Sequence, residues 1–168
     1  MTRLLDQGYE LLDLGDVQAD QGNFREALEQ YRRALAHFEE ATERRPELLE
    51  GHGCKGSALS ALGEMQSALS EWPEAEDSYT RAIAAFDEVL KRSPEMMGVL
   101  GEKGAVLRNR GELRSHESRD EEALEDYNQA LAAFEEVARQ DPDNFDAHLY
   151  KSLILSARAA TLIALGGV

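Results

Sequence analysis

Apolar residues return along this chain in steps of three and four. Between residues 75 and 86 they fall at Ala75, Tyr79, Ala82 and Phe86, a spacing that lays one continuous apolar stripe along a helix. The stripe recurs. Ala27, Tyr31, Ala34 and Phe38 stand 48 residues earlier, and Ala123, Tyr127, Ala130 and Phe134 stand 48 residues later. Pro46, Pro94 and Pro142 keep the same interval, as do Gly8, Gly56 and Gly104 and, seven residues on, Gly15, Gly63 and Gly111. Leu11, Leu59, Leu107 and Leu155 carry the register into a fourth, partial copy, and so do Lys55, Lys103 and Lys151. So many columns at one interval identify an internal repeat.

Each unit divides into two helices. The first follows a proline, which fits the first helical turn and breaks the helix before it; in the second copy it runs from Glu47 to about Ser70. Breaks are expected near Gly22-Asn23, Glu71-Trp72-Pro73 and Ser118 to Asp120, and the second helices then run to about Arg45, Arg92 and Gln140. Glycine inside a helix costs about 1 kcal/mol against alanine, so Gly56 and Gly63 ask for a packing reason. Facing the Tyr79 and Phe86 stripe, they permit close helix approach. The repeats are 1–45, 46–92, 93–140 and 141–168, the last contributing a first helix only. Seven helices in antiparallel hairpins follow, an all-α solenoid in a single repeat domain. Both ends of the chain fall near repeat edges, as expected of a piece of a longer protein.

The order Leu62-Gly63, Ala75, Tyr79, Ala82 resembles the tetratricopeptide repeat signature. There a small residue after Leu marks the crossing of the paired helices, and the later Ala and Tyr pack against it. The family's usual unit has about 34 residues; a 48-residue unit adds seven to each helix. Seven residues are nearly two turns and rotate the apolar face by only about 20°, so the stripes stay aligned. The resemblance implies a right-handed superhelix whose first helices line a concave groove and whose second helices face outward. It implies binding of a peptide, helix or partner domain.

Leu, Ala and Glu dominate the composition, and prolines number four, which suits helices. Thirty-three acidic residues against eighteen Lys and Arg give a formal charge of −15, a surface that repels phosphate backbones and argues against nucleic acid. Cys54 is the single cysteine, so no internal disulfide or multi-cysteine metal site can form. The longest apolar stretch, Ser152 to Leu165, is interrupted by Arg158 and too short to span a bilayer. No charged-then-apolar leader precedes residue 20. A cytoplasmic protein without membrane contact is expected.

No phosphate loop, Ser-His-Asp order or metalloprotease motif is present, and His37, His52, His116 and His148 do not form a ligand set by spacing. No catalytic residue, cofactor or metal is therefore expected. Charge is more informative. The acids of the second helices, among them Glu71, Glu74, Glu76 and Asp77, then Asp120, Glu121, Glu122, Glu125 and Asp126, read as a solvated face. Of the first helices, one carries Asp13, Asp16 and Asp20, and another carries Arg108, Arg110 and Arg114 with Asn109. A groove running from acidic to basic follows, with Ser60, Glu64 and Glu112 among its candidate contacts, unless these charges pair with neighbouring helices. Of the family's clamp for a ligand's terminal carboxylate, only Arg108 and Asn109 find counterparts; Leu12, Asp13, Ser60 and Ala61 fill the matching places in the earlier units. The lysine column is read as pairing with neighbouring carboxylates. Leu155, Leu162, Ile163 and Leu165 leave the last helix apolar on more than one face, which points to a homodimer or to a covering helix. A scaffold or adaptor is the function these features favour; a regulatory or sensor arm of a larger bacterial effector, a signalling ATPase or caspase-like protease, is the alternative.

Overall fold

The computed structural model describes residues 2–166. Among them the backbone forms seven helices and no strand: α1 (Thr2–Asp20), α2 (Phe24–Arg44), α3 (Leu49–Ala68), α4 (Trp72–Arg92), α5 (Met97–His116), α6 (Asp120–Gln140) and α7 (Phe145–Ala164). The chain gathers into two compact units, Met1–Arg92 and Ser93–Val168. In the first, α1 pairs with α2, α3 pairs with α4, and α2 lies against α3. In the second, α5 pairs with α6, while α7 lies against α6 and touches α5.

The stripe of each second helix is the core. Ala27, Tyr31, Ala34, Phe38 and their equivalents in α4 and α6 are at most 3% exposed. The glycine columns meet the aromatic columns directly. A Cβ built on Gly63 would lie 2.5 Å from Tyr79 Cε1, and one on Gly56 2.5 Å from Phe86 Cε1. Gly8 and Gly15 abut Phe38 and Tyr31 in the same way, as Gly104 and Gly111 abut Phe134 and Tyr127. Each hairpin closes because its first helix removes two side chains where two rings must sit.

One expected placement differs. Pro46, Pro94 and Pro142 lie in the turn ahead of each first helix, which opens three residues later at Leu49, Met97 and Phe145. Leu48 N donates to Arg45 O at 3.0 Å, Met96 N to Ser93 O at 3.2 Å and Asn144 N to Asp141 O at 3.1 Å. These are four-residue turns with proline second, where its fixed φ is favoured. Pro73 alone takes the position within a first helical turn, as the second residue of α4. The turns inside the hairpins share another device: Gly22, Ser70 and Ser118, 48 residues apart, hold φ of 78°, 62° and 60°. Among the described residues no helix is long and apolar enough to cross a membrane.

Candidate functional site

In the first unit α1 presents Asp13, Asp16 and Asp20 to solvent. Asp16 has a second task, accepting from the Tyr31 hydroxyl at 2.6 Å. Burial, and then this hydrogen bond to a carboxylate, raise the Tyr31 pKa. On α3, Ser60 is half-buried and lies 3.5 Å from the exposed Glu64 carboxylate. Lys55 Nζ stands 3.6 Å from Glu39 Oε1, which also meets Arg81 at 3.0 Å, so this lysine does pair with a carboxylate on the neighbouring helix.

In the second unit the basic residues do not stand open. Arg110 grips Asp126 with two bonds, Nε to Oδ2 at 2.9 Å and Nη2 to Oδ1 at 2.6 Å. Arg114 Nη1 adds a third at 3.1 Å. Asp126 is 1% exposed, so it is no part of a solvated outer face, and Arg114 is no free contact for a ligand. A carboxylate buried among helices is tolerated only with its charge and lone pairs satisfied, and two guanidinium groups do both. The same place in the first unit holds Gln66 and Ser78, whose side chains meet at 2.6 Å. The signal lay in the register, because residues 66 and 78 fall 48 before 114 and 126. Arg108 is also engaged: its guanidinium carbon lies 5.5 Å from the centre of the Tyr150 ring, Nη2 donates to Asn109 Oδ1 at 2.9 Å, and Nε stands 3.5 Å from Glu112. The two residues resembling the carboxylate clamp thus bond each other. What remains exposed among the candidates is acid: Asp13, Asp16, Asp20, Glu64 and Glu112.

The histidines are spread through the fold. His52 and His148 each place Nε2 against the carbonyl of the preceding proline, Pro46 at 2.9 Å and Pro142 at 2.8 Å. On α7 the buried residues are Ala147, Ile154 and Thr161, one narrow seam. Leu155, Leu162, Ile163 and Leu165 are all exposed, Ile163 by 72%. Leu155 shares its column with Leu59 and Leu107, both of which are buried.

A family model described as tetratricopeptide repeat matches residues 12–79 and 117–160, more than half of the chain. The chain belongs to the tetratricopeptide repeat family. Its hairpins have relatives among solved structures. The C-terminal TPR-containing domain of a Plasmodium falciparum protein described as FK506-binding is 19% identical over 91% of this chain and 89% of that one, with a TM-score of 0.56. That likeness is one of fold. The first TPR of Spaghetti (RPAP3) bound to the HSP90 peptide SRMEEVD is 20% identical over 92% of this chain and 95% of that one, with a TM-score of 0.47. The first TPR domain of human RPAP3 gives 20%, 92%, 94% and 0.44. These last two are too loosely superposable to carry an argument. No curated protein matches the sequence. As a tetratricopeptide protein the chain is a protein-interaction module, built from stacked helical hairpins.

Proposed function

We propose that this module holds a peptide, helix or partner domain on its first helices, α1 and α3 in one unit and α5 and α7 in the other, and that it catalyses no reaction. The observation that carries the reading is where large apolar side chains stay exposed. Leu14 and Val17 lie on α1; Phe145, Leu149, Leu153, Leu155, Leu162 and Ile163 lie on α7. The second helices expose none, and neither do α3 and α5, so the strips stand on α1 and α7; exposed apolar strips mark interaction surfaces. Asp13 and Asp20 on α1, Glu64 on α3 and Glu112 on α5 add exposed acid to the first helices, which favours a cationic partner segment. The repeat edges 45/46, 92/93 and 140/141 are proposed as the units of the array. A reducing cytoplasm suits Cys54, a buried thiol in no disulfide.

Selection of a random dodecapeptide display library against the immobilised chain tests the reading. Enrichment of basic sequences that bind saturably, with affinity falling as salt rises, is expected. A library that yields no saturable binder would defeat it. The exposed strip of α7 supports a second reading, a twofold dimer through Leu155, Leu162, Ile163 and Leu165. Sedimentation at micromolar concentration should then show a dimer that Ile163→Asp abolishes; a monomer at every concentration removes it.

A further inference from the structure

In the first unit, Tyr9 of α1 plugs the space between α1 and α3. Its ring lies edge-on to Phe38, centroids 5.8 Å apart at 68°. Its hydroxyl donates to Glu50 Oε1 at 3.2 Å and sits 2.8 Å from Cys54 Sγ. Leu5, one turn earlier on the same helix, is buried.

Two repeat periods carry these positions onto the second unit. Phe38 becomes Phe134 and Glu50 becomes Asp146, so the aromatic floor and the carboxylate persist. The plug does not. Tyr9 becomes Ala105 and Leu5 becomes Gly101. Tyr150, in the place of Cys54, covers part of the floor from the α7 side, stacked on Phe134 at 4.7 Å and 4°. The α5 side stays open: a Cβ on Gly101 would meet only Phe134, at 3.8 Å, and one on Gly98 nothing within 4 Å. A hollow of about 300 Å³ results, floored by Phe134 and Val137, with the exposed Glu102 and Asp146 at its rim. Such a volume is at the low end for ligand pockets and suits one side chain better than a drug-sized molecule.

We propose that this hollow receives a tyrosine side chain from a cationic segment of a partner protein. The ring lies on the aromatic floor as Tyr9 lies on Phe38, the hydroxyl donates to Asp146 as Tyr9 donates to Glu50, and flanking lysine or arginine meets Glu102. The chain displays in one unit the occupant that the other unit lacks. The inference rests on the reading of the chain as an interaction module and names the chemistry recognised by its second unit.

The test uses the whole ¹⁵N-labelled chain titrated with the capped tripeptide Lys-Tyr-Lys and with the Lys-Phe-Lys, Lys-Ala-Lys and Glu-Tyr-Glu counterparts. Saturable shifts of the Gly98, Gly101, Ala105 and Ala147 amides are expected. The phenylalanine peptide should bind several-fold more weakly, and the alanine and glutamate peptides roughly tenfold more weakly or not at all. The double variant Gly101→Leu/Ala105→Tyr, which restores the plug of the first unit, should abolish the shifts with helicity retained; Ala105→Leu alone serves if the double variant unfolds. Absence of saturation, equal binding of the alanine or phenylalanine peptide, or shifts that survive filling of the hollow would overturn the proposal. Display-selected peptides that bind the filled variant as well as the original would leave the interaction reading standing and remove this one.

Discussion

Replacing Gly63 with alanine adds one methyl group at the crossing of α3 and α4. That carbon would lie 2.5 Å from Tyr79 Cε1, 2.6 Å from Cδ1 and 3.0 Å from Cζ, so a rigid ring must move by about an ångström to admit it. Tyr79 has little room: it is 2% exposed, and its hydroxyl lies 3.3 Å from Ser67 Oγ. Overpacking of this kind costs roughly 1–3 kcal/mol, against a gain of about 1 kcal/mol in helix propensity for losing a glycine. Gly53→Ala in the same helix isolates the packing contribution, because a Cβ there meets nothing within 4 Å and only the propensity gain remains. Urea unfolding followed through Trp72, at the start of α4, reads the first unit locally. Gly53→Ala should raise stability and Gly63→Ala should lower it, the two differing by about 1–3 kcal/mol. Tyr79→Leu should cost less in the Gly63→Ala background than alone, the coupling expected of touching groups. Two alanine variants within about 0.5 kcal/mol of each other would refute the crossing as described.

Asp126→Ala should cost about 3 kcal/mol by removing the buried carboxylate that both guanidinium groups hold, whereas Arg110→Leu/Arg114→Gln/Asp126→Ser, which installs the Leu62, Gln66 and Ser78 arrangement, should recover most of it in chemical denaturation. Ser70→Gly and Ser118→Gly relieve a left-handed backbone conformation and should each stabilise by about 0.5 kcal/mol net of chain entropy, read as a higher Tm; a lower Tm would show that the serine side chains hold those turns. Burial, followed by the nearby Glu112 carboxylate, pushes the Tyr127 hydroxyl from 10.0 up to about 12. A hydroxyl that ionises more readily unfolded than folded contributes stability present below pH 10 and lost as pH rises through 12, so urea midpoints should fall across that window and fall less in Tyr127→Phe.

The helix count, the breaks and the glycine-to-aromatic contacts were legible because each is written three times at one interval and depends on local spacing. The first helix of the second copy was placed two residues early, at Glu47 rather than Leu49, because proline serves equally well second in a turn and first in a helix, and only the bond from residue 48 to residue 45 distinguishes them. Asp126 escaped because burial of a charge depends on what faces it. Its partners sit 12 and 16 residues away on the opposite helix, among other acids that do face solvent. For the same reason the apparent basic arm of α5 dissolved into internal pairing, and the acidic residues were left to set the character of the first helices. The division into two compact units leaves no mark on a period that runs unchanged through residue 93.

Hydrogen exchange by mass spectrometry, on the whole chain with and without a display-selected basic peptide, tests the central claim most directly. The account predicts slowed exchange in first-helix segments, α5 and α7 or α1 and α3, with the second helices α4 and α6 unchanged. Protection confined to α4 and α6 would contradict it.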